Sequence, residues 1–384
     1  MHQDHEAASR RDHAEKLAIA ERERAYYEER MMTFGLSPIS TFIERAPAAS
    51  YRMRRGITYG HKDMEKIADC IRAGKPWAVL SGINPSGPLH FGHKAVFDEI
   101  RWLQTQGADV FIPLSDDESY IFNKVATRGQ ARRFAYDTVI PTLIALGFEP
   151  GKTFIFLDSD YTSIYNFAIQ LSTKVTWNNL KGVFGFEVGA NAGAIFYQGA
   201  IQLAHILFPQ LPEFGGPRPT VVPVGIDQHP YILLSRDVAD KMDMVPPGEM
   251  CTKFLYSLQG PEKKMSASLP NTCIFLDDAP EVAEAKIKSA YTGGLPLARV
   301  QRELGGVPDI CPVFQLLNYH FLSDEESAQL YRDYREGRLL STELKALAIR
   351  HVKTWLAEHR EKREEARKRI DEYLVKTPIT SILA

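Results

Sequence analysis

An α/β fold with a doubly wound parallel sheet, an inserted helical segment and a C-terminal all-helical domain is predicted by three features of this 384-residue chain. Between Trp77 and Asp240, short β-rich runs alternate with stretches of helical period. Polar turns follow four of those runs. From about Ala279 the apolar residues keep helical spacing to the end.

Residues 9–32 alternate charge with alanine and leucine, the pattern of a long polar helix that Gly35 and Pro38 would stop. Strands are expected at Trp77–Leu80, Val110–Leu114, Phe154–Leu157 and Thr220–Val224, with helical stretches such as Ala131–Leu146 between them. That order implies parallel strands with helices on both faces, and a ligand beyond the strands' carboxyl ends. The His90/His93 turn, Ser115-Asp116-Asp117-Glu118, Asp158-Ser159-Asp160 and Gly225-Ile226-Asp227-Gln228 would then share one rim. Residues 162–210 interrupt the alternation, and Ala192–Leu207, containing Tyr197 and Gln202, suits the wall of a substrate pocket. Beyond 279, Gly293-Gly294 and Gly305-Gly306 break amphipathic stretches near 323–336 and 341–374. The expected division is an N-terminal helical extension over 1–55, a nucleotide-binding domain over 56–278 and a helical domain over 279–384.

Hydrophobic residues make up 44% of the chain, ordinary for a packed domain, and no run of eighteen apolar residues or apolar N-terminal segment occurs. A cytoplasmic protein without membrane contact is expected. Cys70, Cys251, Cys273 and Cys311 form no CxxC pair and read as small buried hydrophobes rather than zinc ligands. The formal net charge is only −2, so an RNA partner would have to meet a local patch. The densest candidate holds Arg360, Arg363, Arg367 and Arg369, although its mixed signs also suit a solvated helix face.

The chemistry concentrates in two segments. Pro85-Ser86-Gly87-Pro88-Leu89-His90-Phe91-Gly92-His93 lies between a strand and a helix marked by Ala95, Val96, Ile100 and Leu103. Three apart, His90 and His93 share one helix face, at the end where backbone N–H groups and the helix dipole attract phosphate. Glycine at 92 would let a flat adenine approach the backbone. About 170 residues on, Lys263-Lys264-Met265-Ser266-Ala267-Ser268 follows Gly260-Pro261 and describes a cationic loop for a polyphosphate. Asp227, at a strand end, is placed to bond ribose hydroxyls. No GxxxxGK[ST] loop or kinase catalytic loop occurs. Lysines and histidines without a nucleophile suit attack by a substrate carboxylate on the α-phosphorus of ATP, with pyrophosphate leaving. Mg2+ would be carried by the nucleotide, with no protein metal ligands.

Together, His90-Phe91-Gly92-His93 and Lys264-Met265-Ser266-Ala267-Ser268 resemble the HIGH-type and KMSKS-type signatures of class I aminoacyl-tRNA synthetases. From about residue 55 onward the chain is similar to the tryptophanyl enzymes of archaeal and eukaryotic type. That likeness is carried by Ser115–Glu118, Phe154–Tyr161, Thr176–Phe186, Ala200–Gln202, Gly225–Gln228 and Ser235–Ala239. The resemblance implies a Rossmann-like catalytic domain over 56–278, a tRNA- and anticodon-binding domain over 279–384, and a homodimer. It also implies ATP-dependent activation of tryptophan and its transfer to tRNA(Trp). His90, His93 and Lys264 would be catalytic. Ser81, Gly82, Pro85, Gly92, Gly225, Asp227, Met265, Ser266 and Ser268 would bind the nucleotide. Glu118, Gln202 and Gln228 would hold the amino acid's ammonium and carboxylate groups. Leu80 and Pro113 occupy positions where tryptophanyl members usually carry tyrosine and glutamine that reach the ring. Either another acceptor, Tyr197 or Gln198, reads the indole, or the enzyme adenylates a different aromatic amino acid such as tyrosine or serves a non-translational acceptor.

Overall fold

The computed structural model describes residues 2–187 and 189–383. Two compact units result, and they do not follow linear boundaries near 55 and 278. One gathers the chain up to Gly35, Leu89–Ala95 and Phe254–Lys362, whereas the other holds Leu36–Pro88, Val96–Lys253 and the residues from Arg363 onward.

The second unit is built on a sheet. Its strands are β1 (Ser37–Pro38), β2 (Thr58–Lys62), β3 (Ala78–Leu80), β4 (Asp109–Leu114), β5 (Thr153–Leu157), β6 (Thr220–Val224) and β7 (Gly248–Thr252), in the order β1-β2-β7-β6-β3-β4-β5. From β7 to β5 the pairing is parallel, while β1 and β2 add an antiparallel edge. The four expected strands are present to within a residue. β2 and β7 carry no such sequence signal, because neither Thr58–Lys62, with His61, Lys62 and a glycine, nor Gly248–Thr252, with Gly248 and Glu249, shows an apolar run. Chain order reverses between β3 and β6, the switch point where open α/β sheets bind ligands. Leu80, Phe111, Phe156 and Val222 pack with Phe167, Leu207 and Phe208 from the helical segments, so the inserted stretch covers one sheet face. The chain end returns to the sheet instead of staying helical: the Ile155 N–H donates to the Tyr373 carbonyl and the Val375 N–H to the Ile155 carbonyl. This tail covers the exposed edge of β5.

The first unit is mainly helical. Ser323 and Glu326 form a reciprocal capping box at the start of helix Asp324–Arg335, satisfying two otherwise orphaned N–H groups. The N-terminal helix spans His2–Phe34 and ends where Gly35 adopts a left-handed backbone, φ 59°. Having no continuous apolar stripe, it is held by particular polar contacts. Lys16 donates to the Gly294 carbonyl at 2.6 Å, and Arg10 pairs with Glu303 at 2.7 Å. The remaining element is a hairpin of β8 (Tyr256–Ser257) and β9 (Gly260–Lys264). Lys263 and Lys264 therefore lie at a strand end, which corrects the expectation of a loop throughout. All four cysteines are buried. Among the described residues no helix is long and apolar enough to cross a membrane.

Candidate active site

In the first unit, the two signature segments are joined by backbone. His90 forms an antiparallel bridge with Phe275, the Phe91 N–H donates to the Ile274 carbonyl at 3.2 Å, and the Leu276 N–H donates to the Leu89 carbonyl at 2.8 Å. The lysine segment thus runs directly into a partner of the histidine turn. The Met265 N–H donates to the Leu255 carbonyl, Ser266 Oγ lies 2.9 Å from Ser268 Oγ, and Lys264 Nζ sits 4.5 Å over the Phe254 ring.

Helix Phe91–Thr105 begins at this turn, but its first N–H groups are not an open phosphate nest. The His90 N–H donates to Nδ1 of His93 and the Gly92 N–H donates to Nδ1 of His90, each at 3.1 Å. His93 and Lys94 N–H groups donate to the His90 carbonyl. An Nδ1 that accepts carries no hydrogen, so each neutral ring holds its proton on Nε2. The rings stack, centroids 3.9 Å apart. Burial, then the neighbouring His93 ring and the Lys264 charge, push His90 down to about 2, and burial with Lys264 pushes His93 down to about 4. The pair therefore offers two N–H donors that stay neutral at physiological pH.

The absence of a side chain at Gly92 also matters locally. A Cβ there would lie 2.8 Å from His90 Cε1 and 2.9 Å from its Nδ1, so the missing side chain is what lets the ring fold over the turn. Gly92→Ala is expected to displace His90 and cut the rate of ATP–pyrophosphate exchange by about tenfold or more, because one oriented donor is lost. Exchange at the wild-type rate would show that the ring's position is immaterial.

The sheet unit holds the remaining candidates. Ser81 and Gly82 follow β3, while Gly225, Asp227 and Gln228 follow β6, on either side of the switch point. Pro85 is buried, Gln202 and Gln228 are half-buried and Asp227 is exposed. Glu118, in helix Asp116–Ile121 after β4, accepts from Lys124 Nζ at 2.6 Å and from the Tyr197 hydroxyl at 3.2 Å. The same hydroxyl lies 2.9 Å from Ser115 Oγ. Tyr197 is buried and starts a π-helical turn, Tyr197–Ile201, inside the inserted segment. Such turns re-aim side chains within a helix. Leu80 is 2% exposed in the apolar core, and Pro113 is buried on β4 with its Cγ 3.2 Å from where a Gly82 Cβ would stand. Neither side chain can accept a hydrogen bond.

One buried network has no counterpart among the residues assigned from sequence. Asp158 Oδ1 lies 2.8 Å from His205 Nε2, and the Tyr165 hydroxyl donates to Asp117 Oδ2 at 3.1 Å. Burial and the adjacent Asp158 push Asp117 up to about 8, and burial holds His205 down at about 4, so this cluster keeps a proton on a carboxyl and none on the extra ring nitrogen. The Asp117 and Asp158 turns were legible as polar strand ends; a single histidine within an apolar helix gave no signal. No group of three His, Cys, Asp or Glu residues is arranged to hold a metal ion among the described residues.

Comparison with known proteins gives the same direction over nearly the whole chain. The model of class I tRNA synthetases (W and Y) matches residues 72–357. The tryptophan-tRNA ligase of Pyrobaculum calidifontis is 36% identical over 369 residues, which cover 94% of this chain and 97% of that protein. The tryptophan-tRNA ligase of Methanocaldococcus jannaschii is 38% identical, with 89% and 93% covered. The crystal structure of tryptophanyl-tRNA synthetase from Aeropyrum pernix matches with a TM-score of 0.83 at 36% identity, covering 92% of this chain and 96% of that one. With its histidine turn and lysine segment tied by backbone and its switch point lined by polar turns, the chain belongs to the class I tRNA synthetases of the W and Y group.

Proposed function

We propose that the chain activates tryptophan with ATP to an aminoacyl-adenylate and transfers the aminoacyl group to tRNA(Trp), releasing pyrophosphate and then AMP. The observation that carries this reading is the neutral His90/His93 donor pair in one unit with Lys264. In the first step the tryptophan carboxylate attacks the α-phosphorus, and charge builds on the departing pyrophosphate. Nε2–H groups can stabilise that charge without surrendering a proton, and the Lys264 ammonium adds a full positive charge. Gly92, Met265, Ser266 and Ser268 complete the nucleotide half in this unit. Ser81, Gly82, Pro85, Gly225 and Asp227, all in the sheet unit, are assigned to the nucleotide by the likeness to the family. Mg2+ would ride on phosphate oxygens, and no side chain is assigned to it.

Glu118, Gln202 and Gln228 are assigned to the amino acid's ammonium and carboxylate groups, and Leu80 and Pro113 to apolar walls around its ring. With no acceptor at those two positions, the Tyr197 hydroxyl is the group proposed to read the indole N–H, because its oxygen keeps a lone pair while its hydrogen goes to Ser115 or Glu118. The C-terminal helices are proposed to approach the tRNA. Arg367, Lys368 and Arg369 already pair with Glu364, Glu365 and Glu372, so Arg360 is the more available contact on that stretch. A homodimer in the cytoplasm completes the proposal.

ATP–pyrophosphate exchange with a panel of amino acids tests the reading, with exchange expected for tryptophan. Robust exchange for tyrosine or another aromatic amino acid alone would reassign the substrate. Tyr197→Phe should lower kcat/KM for tryptophan by about 10-fold while leaving phenylalanine nearly unchanged, since an indole N–H left without an acceptor costs about 1–3 kcal/mol. Equal losses for both substrates would remove Tyr197 from ring recognition.

A further inference from the structure

We propose that the N-terminal helix is a positioning element for the lysine segment, acting through Glu23 and Tyr27. This rests on the assignment of Lys264 to adenylate formation. Lys264 and Met265 take their places from one short stretch, Phe254–Tyr256. Lys264 is the β-ladder partner of Tyr256, its ammonium sits 4.5 Å over the Phe254 ring, and the Met265 N–H donates to the Leu255 carbonyl at 3.0 Å. That stretch is held from the other side by the N-terminal helix. The Tyr256 hydroxyl donates to Glu23 Oε2 at 3.0 Å, and the Phe254 N–H donates to the Tyr27 hydroxyl at 3.3 Å. Tyr27 and Tyr256 are both buried and the two bonds are partly buried, so water competes for them less than at the surface.

A third contact reaches the hairpin's turn. Lys16 is buried, donates to the Gly294 carbonyl and lies 5.4 Å over the Tyr291 ring, and the Tyr291 N–H donates to the Leu258 carbonyl at 2.7 Å. The helix therefore grips both ends of β8. A helix with so polar a surface has little reason to lie there for apolar burial, whereas these contacts all converge on the backbone that carries Lys264. Glu23 and Tyr27 touch no reacting atom in this proposal; they set where the ammonium stands when charge develops, and small displacements of such a group are costly to rate.

The test is steady-state ATP–pyrophosphate exchange with the full-length Glu23→Leu and Tyr27→Phe chains and their double variant, each also combined with Lys264→Ala, since leucine leaves the Tyr256 hydroxyl without its acceptor. The expected result is a fall in kcat of about 3- to 10-fold for each, the size of one lost hydrogen bond. KM for tryptophan should stay unchanged, and in the Lys264→Ala background the same substitutions should cost almost nothing further. Full additivity with Lys264→Ala, or unchanged kcat in a double variant that melts at the wild-type temperature, would overturn the proposal. If a variant fails to fold, Tyr256→Phe removes the same bond from the hairpin side and must give the same pattern. Absence of exchange in the wild-type chain would instead count against the proposed function.

Discussion

Lys264→Ala should slow ATP–pyrophosphate exchange by about 10²–10³, the usual result of removing one preorganised charge-stabilising group. His93→Ala should fall in the same range. Their proposed common partner is the polyphosphate, so KM for tryptophan is expected to change little in either variant. The structure supplies the reason for treating them together: burial first, and the Lys264 charge after it, hold down the basicity of both imidazoles, so the lysine's charge is felt at the ring pair. Arginine at position 264 should restore only part of the rate, because a guanidinium would lie flat on the Phe254 ring with its charge spread over three nitrogens, where the ammonium presents one compact charge. Wild-type exchange by either alanine variant would withdraw that residue from catalysis.

Glu118→Gln should raise KM for tryptophan by roughly 10- to 100-fold, the range expected when a charge-assisted hydrogen bond to an ammonium is replaced by a neutral one. KM for ATP should be nearly unaffected. In the structure Glu118 already accepts from a cation, Lys124, and from the Tyr197 hydroxyl, so its carboxylate is oriented and its affinity for positive charge is displayed directly. A substrate ammonium would take over the position now served by a flexible surface lysine. Equal losses for tryptophan and ATP would make Glu118 a structural carboxylate that holds Tyr197 in place.

The parallel strands were readable because Val110–Leu114, Phe154–Leu157 and Thr220–Val224 are short apolar runs flanked by turns, and burial on both faces demands that composition. β2 and β7 were not, since Thr58–Lys62 and Gly248–Thr252 gain their pairing from a long-range antiparallel register that leaves little trace in composition. The paired histidines and the lysine segment were legible as residue types. Their geometry was not: nothing in the spacing of His90 and His93 states that each Nδ1 would take a backbone N–H, or that Gly92 is small for the sake of a histidine ring. The compact units cut across linear boundaries for a related reason, since a seven-residue piece, Leu89–Ala95, pairs with residues near Phe275 and so joins the helical unit despite its place in the sequence. The N-terminal helix read as a polar appendage because its anchors are isolated side chains, Lys16, Glu23 and Tyr27, with no periodicity to mark them.

The locked imidazoles also give the motif an acid limit. Adding a proton to either Nδ1 would turn an acceptor toward a backbone donor, so two hydrogens would face each other and the hydrogen bonds that close the start of helix Phe91–Thr105 would be lost. An unfolded histidine binds its proton near pH 6.5, whereas His90 and His93 in the folded chain resist until about 2 and 4. Their contribution to stability is therefore complete above pH 6.5 and is withdrawn as the pH falls toward those values. Protonation of these rings in the folded chain would loosen the backbone at the helix start, and the amide hydrogens of His90 and Gly92 would become exchangeable with solvent as their ring acceptors are lost.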